Sequence, residues 1–176
     1  KVYTFRQFEA EEQTAAMIAR RILYPMESLD VETELVQAQK VLRISLSEKQ
    51  KQAVRMVFAN SISIITGGPG TGKTTVLKVI LYIHGMKCKS EVQLMAPTGR
   101  AARRMAESTG NQNASTMHMA MGLLGEDYTA EFAYLEAGFV NVDETSMVDM
   151  RLAYEFFQRV KGNTRILLVG DVDQLP

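Results

Sequence analysis

Gly67-Gly68-Pro69-Gly70-Thr71-Gly72-Lys73-Thr74 carries the pattern G-x-x-x-x-G-K-[ST]. In that pattern the glycines let the backbone curl until successive N–H groups face phosphate oxygens. A helix that starts at its end adds partial positive charge at the same point. Lys73 is placed to reach the β- and γ-phosphates of a nucleoside triphosphate, and the Thr74 hydroxyl to hold Mg²⁺. The expected nucleotide contacts therefore run through Gly68, Pro69, Gly70, Thr71, Gly72, Lys73, Thr74 and Thr75.

Two acidic stretches suit the same chemistry. Asp143-Glu144 follows the apolar run Phe139-Val140-Asn141-Val142. A magnesium ion on a nucleotide keeps part of its water shell and needs a carboxylate anchor, a role that fits Asp143. Glu144, one position on, would point toward a water in line with the γ-phosphate and accept its proton. Without the glycine loop upstream, such a pair reads as solvated acids at a strand end. In the closing Gly170-Asp171-Val172-Asp173-Gln174-Leu175-Pro176, Gln174 could bond a γ-phosphate oxygen or the attacking water. Asp171 and Asp173 could pair with basic residues or support the metal; a polar loop leaving a strand is the plainer reading.

Three other clusters stay open on the residues alone. Gln50 is the third helical residue of the capping box Ser47-Glu48-Lys49-Gln50, which is the simpler reading, but its amide could also bond a donor and an acceptor on adenine. Pro97-Thr98-Gly99-Arg100-Ala101-Ala102-Arg103-Arg104 offers a helix start, a hydroxyl and arginines on one helix surface, fit either for nucleic-acid phosphates or for water. Thr116 and His118 stand isolated, and His84 reads as a helix-end residue.

The elements that must position these groups are legible around them. Apolar spacing predicts helices over Phe5–Leu23 and Asp30–Leu42, separated at Tyr24-Pro25. From Ser45 strands alternate with helices. The capping box opens a helix through Phe58, Ser61–Ile65 reads as a strand, and the helix after the loop is expected to end near His84, with Gly85 just beyond it. Strands follow at Val92–Ala96, Phe139–Val142 and Arg165–Val169. Helices are expected at Arg100–Ser108, Thr129–Ala137 and Met147–Val160, and a loop at Thr109–Asn113. Such alternation implies an α/β fold, a parallel sheet flanked by helices, after a small N-terminal helical segment. Every polar cluster then stands at the C-terminal end of a strand, the edge at which open parallel sheets bind ligands.

Composition bounds the rest. Of 176 residues, 46% are hydrophobic, and twenty basic residues balance twenty acidic ones. Net charge thus neither favours nor disfavours a polyanion; any such surface is local. The single cysteine, Cys88, excludes an internal disulfide and a cysteine metal cluster, fits a reducing, cytoplasmic setting, and reads as a small buried hydrophobe. The methionines Met117, Met119 and Met121 read as core filler. No apolar run of about 18 residues predicts a membrane span, and no secretory leader is visible. Beginning at Lys1 and stopping at Pro176, the chain looks like a fragment of something longer.

Taken in order, Leu46–Val54, Thr66–Thr75, Ala96–Ala102, Thr116-Met117-His118, Asp143–Asp149 and Gly170–Pro176 resemble the motifs of a superfamily 1 DNA helicase of the RecD/TraA type, the exodeoxyribonuclease V alpha-subunit family. The resemblance covers Ser45 to Pro176. It implies a RecA-like first motor domain over residues 45–176 behind a helical prefix and connector over 1–44. It also implies ATP and Mg²⁺ as cofactors and 5′-to-3′ movement on single-stranded DNA. On it, Gln50 becomes an adenine contact as well as a cap, Gln174 the coupling glutamine, and Glu144 the water-activating carboxylate. Pro97, Thr98, Gly99, Arg100, Thr116 and His118 become DNA contacts. Partners implied are a second RecA-like domain, which would supply a transition-state arginine, and recombination or repair subunits. Asn141, Met119 and the short stretch between Gly122 and Phe139 depart from the family pattern. A nucleotide-gated DNA-binding module that does not translocate is one competing reading; a small-molecule phosphotransferase is another, but it would need an acceptor pocket and lid, which the sequence does not offer.

Overall fold

The computed structural model describes residues 5–24, 26–123 and 133–171. Among the described residues, five strands form one all-parallel sheet: β1 (Ile62–Thr66), β2 (Val92–Ala96), β3 (Ala114–Thr116), β4 (Phe139–Val142) and β5 (Arg165–Gly170). Their spatial order is β1-β5-β4-β2-β3. Pairing sets Ile62 against Ile166, Val140 against both Ile166 and Gln93, and Leu94 against Ala114.

Period-two alternation explains why helices cover both faces. Leu94 and Ala96 on β2, Phe139 on β4, and Leu167 and Val169 on β5 enter one core. That core also holds Phe58 of α3 (Glu48–Ala59), Val76, Ile80 and Ile83 of α4 (Lys73–Lys87), and Met105 of α5 (Gly99–Thr109). Their neighbours Met95, Val140, Val142 and Ile166 enter the other, with Phe156 and Phe157 of α7 (Met150–Arg159) and Met117 of the short α6 (Met117–Ala120). A strand buried on both sides must be apolar at every position. Asn141 breaks that rule at 0% exposure.

The two N-terminal helices join this body. α1 (Phe5–Leu23) packs on α7, and α2 (Glu32–Leu42) on α4. Buried Arg21 of α1 donates to the carbonyls of Val160 (2.6 Å), Lys161 (2.7 Å) and Thr164 (3.1 Å). It thereby ties α1 to the turn that leads from the α7 C-cap into β5.

Several boundaries differ from the sequence-based expectation. α4 continues through Gly85 to Lys87. His84, instead of ending the helix, is buried and bonds the Ser90 carbonyl and hydroxyl through Nε2 (3.2 and 3.0 Å). β3 follows the Thr109–Asn113 loop where no strand was expected, because three residues are too few to show a period. Of the helix expected over Thr129–Ala137, the described part, 133–137, is not helical, with Leu135 bridged to Val160. α7 starts at Met150, since Asp149 accepts from the Leu152 N–H at 2.8 Å and caps it there. Cys88 is half-buried against the first core, and burial pushes its thiol up. Met117 and Met121 are buried, whereas Met119 is exposed.

Candidate nucleotide site

The glycine loop leaves β1 and enters α4, and its backbone departs from ordinary geometry at two glycines. Gly70 has φ +75° and Gly72 φ +88°, values that L side chains rarely adopt. A Cβ on Gly72 would stand 2.5 Å from Gln50 Nε2, and one on Gly67 2.7 Å from Thr71 Oγ1. The loop is braced by its own donors: Thr71 Oγ1 to the Gly68 carbonyl at 2.9 Å, and Lys73 Nζ to the carbonyls of Gly67 and Gly68.

Gln50 serves two elements at once. Its Oε1 accepts from the Ser47 N–H at 2.9 Å and its backbone N–H donates to Ser47 Oγ at 3.3 Å, completing the capping box of α3. Its Nε2 donates to the Thr71 carbonyl at 3.1 Å. The capping reading is therefore observed, together with a tie to the glycine loop that sequence reasoning did not find.

A cavity of about 760 Å³ opens at this edge of the sheet. Pro69, Lys73 and Thr74 line it from the loop, Asp143 and Glu144 from the end of β4, Gly170 and Asp171 from the end of β5, and Arg104 and Met105 from α5. Strand order explains the convergence: β5 lies between β1 and β4, so the loop and the acidic pair are two strand spacings apart, about 10 Å. The Asp143 carboxylate accepts from the Glu144 N–H at 2.9 Å. Glu144 has φ 52° and heads the 3-10 turn Thr145–Met147. A left-handed glutamate costs on the order of 1 kcal/mol, and such costs gather at functional sites. Gly170 is needed beside it: a Cβ there would meet Thr145 Oγ1 at 2.7 Å, and that hydroxyl donates to the Val169 carbonyl at 3.0 Å.

The donor set fits the group that the glycine loop implies. Oxygen ligands from one hydroxyl (Thr74) and one carboxylate (Asp143) on a common cavity suit Mg²⁺, which takes phosphate oxygens and water for its other positions. Among the described residues no group of three or more His, Cys, Asp or Glu could hold a metal without such help.

The expected DNA-contact residues occupy the next strand ends along the same edge. Thr98 caps α5, its Oγ1 accepting from the Ala101 N–H at 3.2 Å. Thr116, at the end of β3, caps α6 through Met119 N–H at 3.2 Å. Pro97 and Thr98 are partly exposed, and Gly99, Arg100 and His118 are exposed. Gln174 and Asp173 lie outside the described residues. Arg104 departs from the shared role with Arg100 and Arg103: its Nη2 donates to Glu144 Oε1 at 2.5 Å. Its sequence separation of 40 residues from Glu144 left no local signal for that pairing.

Fold and loop define a RecA-like α/β protein with a phosphate-loop signature. Residues 50–176 match the family described as AAA domain, and the chain belongs to that family. It is 38% identical over 151 residues to the RecBCD enzyme subunit RecD of Haemophilus influenzae, covering 72% of this chain and 24% of that one. It is 39% identical over 140 residues to the ATP-dependent RecD2 DNA helicase of Deinococcus radiodurans, covering 78% and 19%. The chain thus spans a quarter or less of these relatives. Among solved structures it resembles the Pif1 helicase of Candida albicans (TM-score 0.55, 26% identity, 76% of this chain and 34% of that one). It also resembles Bacteroides Pif1 in complex with ADP-AlF3 and single-stranded DNA (TM-score 0.50, 26% identity, 76% and 34%). Among the described residues no helix is long and apolar enough to cross a membrane.

Proposed function

We propose that this chain is the first, ATP-hydrolysing motor domain of a DNA helicase that moves 5′-to-3′ along single-stranded DNA. Residues 45–176 form the motor and residues 1–44 its helical prefix. The observation that carries this reading is the common cavity lined by Lys73, Thr74, Asp143 and Glu144. The RecD-type relatives and the Pif1 likeness support the helicase class.

Bound Mg-ATP supplies an activated phosphoanhydride. The chain supplies the cradle: loop N–H groups and the α4 N-terminus bind phosphate oxygens, Lys73 neutralises them, and Thr74 and Asp143 hold the metal's protein side. Gln50 contacts adenine. Glu144 orients a water and takes its proton, and Gln174 reports hydrolysis to the rest of the motor. Pro97, Thr98, Gly99, Arg100, Thr116 and His118 hold the strand backbone, one or two strand spacings from the acidic pair and three or four from the glycine loop. A second RecA-like domain completes the site with an arginine and the other half of the DNA track. Subunits of a recombination or repair assembly are the further partners, in the cytoplasm.

ATP turnover in the full-length protein, with and without single-stranded DNA, tests the reading. Turnover that rises with DNA and vanishes in Lys73→Ala is expected. Turnover that is flat across added DNA would reduce the protein to a nucleotide-gated binding module.

A further inference from the structure

The proposed function gives no task to Arg104, the cavity's second basic residue beside Lys73. Arg104 reaches in from α5 and pairs with Glu144 at 2.5 Å, and both line the space shared by Lys73, Thr74 and Asp143. A carboxylate acts as a base only when its oxygen is within hydrogen-bond reach of the water it deprotonates. Here Oε1 instead accepts from a guanidinium, which occupies it in place of that water.

Three observations give this contact a direction. Arg104 stands four residues beyond Arg100, on the same face of α5 and one turn further along. The helix begins at Gly99, capped by Thr98, within the segment assigned to the strand backbone. The pair is also half in water, with Arg104 64% and Glu144 24% exposed, so another anion can exchange for the carboxylate. A row of Arg100, Arg103 and Arg104 is well matched to phosphates spaced along a strand.

We propose that Arg104 is a positioning residue that holds the Glu144 carboxylate until the phosphates of a single strand lying on α5 draw the guanidinium away. Resting hydrolysis is thereby kept low, and DNA releases the base. This rests on the function proposed above and specifies how its two sites communicate.

The test is steady-state ATP turnover of the full-length protein, with and without oligo-dT, in wild type, Arg104→Ala, Arg104→Gln, Arg104→Lys and the double variant Arg104→Ala/Glu144→Gln. Arg104→Ala and Arg104→Gln are expected to raise DNA-free kcat several-fold with KM for ATP unchanged, and to shrink the DNA-stimulation ratio. Arg104→Lys restores part of the suppression, and the double variant is inactive because the gain runs through Glu144. A DNA-free kcat that is unchanged or lower in both neutral variants overturns the proposal. So does a raised KM, which would put Arg104 on the nucleotide itself. If wild type shows no stimulation by DNA, the helicase reading fails as well; if wild type is stimulated and the variants keep the same ratio, only the Arg104 latch fails.

Discussion

Gln50 Nε2 donates to the Thr71 carbonyl at 3.1 Å while the same side chain closes the α3 capping box. Helix start and glycine loop therefore share one residue, and the two roles can be separated. Gln50→Ala should lose both, costing about 1 kcal/mol of stability for the cap and weakening nucleotide binding. Gln50→Glu keeps an oxygen for the Ser47 N–H but cannot donate to Thr71. Its melting temperature should stay near wild type while nucleotide affinity falls, read by thermal melts beside a fluorescent-nucleotide titration.

Lys73 and Glu144 line one cavity but have different proposed tasks. Lys73→Ala should abolish nucleotide binding. Glu144→Gln should bind nucleotide as wild type does and lose about 10²- to 10⁴-fold in turnover, the range for a missing general base. Equilibrium binding and single-turnover hydrolysis distinguish them; loss of binding in Glu144→Gln would count against its role.

Gly70 and Gly72 both have positive φ, but only Gly72 has a neighbour within reach of a Cβ. Gly70→Ala should cost only the left-handed penalty, about 1–2 kcal/mol. Gly72→Ala should cost more, because Gln50 must also swing away and release Thr71. Urea midpoints of the two variants give the order.

Asn141 is wholly buried in β4. Its Nδ2 reaches only the Met105 sulfur at 3.3 Å, and its Oδ1 has no partner. An unsatisfied buried acceptor costs about 1–3 kcal/mol. Asn141→Leu, similar in shape, should raise stability by about 1 kcal/mol, visible as a higher denaturant midpoint with an unchanged slope.

Burial pushes the His84 imidazole below its ordinary value of 6.5; the Ser90 carbonyl opposes this and the charge of Arg165 adds to it. The unfolded chain takes up a proton below about pH 6.5 while the folded imidazole is still neutral. Stability from this residue is therefore complete above that pH and declines as pH falls. Midpoints at about pH 7.5 and about pH 5.5 should differ in wild type and less in His84→Gln.

Much of this fold was readable from short stretches. The box at Ser47–Gln50, the strand–glycine loop–helix unit and the strand Val92–Ala96 are each local, set by capping, φ freedom and β-branched or apolar runs. Where local rules competed with packing, packing won. Gly85 lies inside α4 because buried Ile83 and His84 hold the last turn against the sheet. The three-residue β3 forms because β2 offers Leu94, Met95 and Ala96 as a template.

The sequence by itself determined that a triphosphate-type loop, an acidic pair and a basic helix start lie at the ends of successive parallel strands, because each is written in adjacent residues. Only the tertiary structure decided their neighbours. The order β1-β5-β4-β2-β3 brings loop and acids to one cavity, and it sets Arg104 on Glu144 and Arg21 on the end of α7. Those contacts join residues 40 and 139 positions apart. Separations of that size leave no trace in local pattern and are set by which strands pair and which faces the helices must cover.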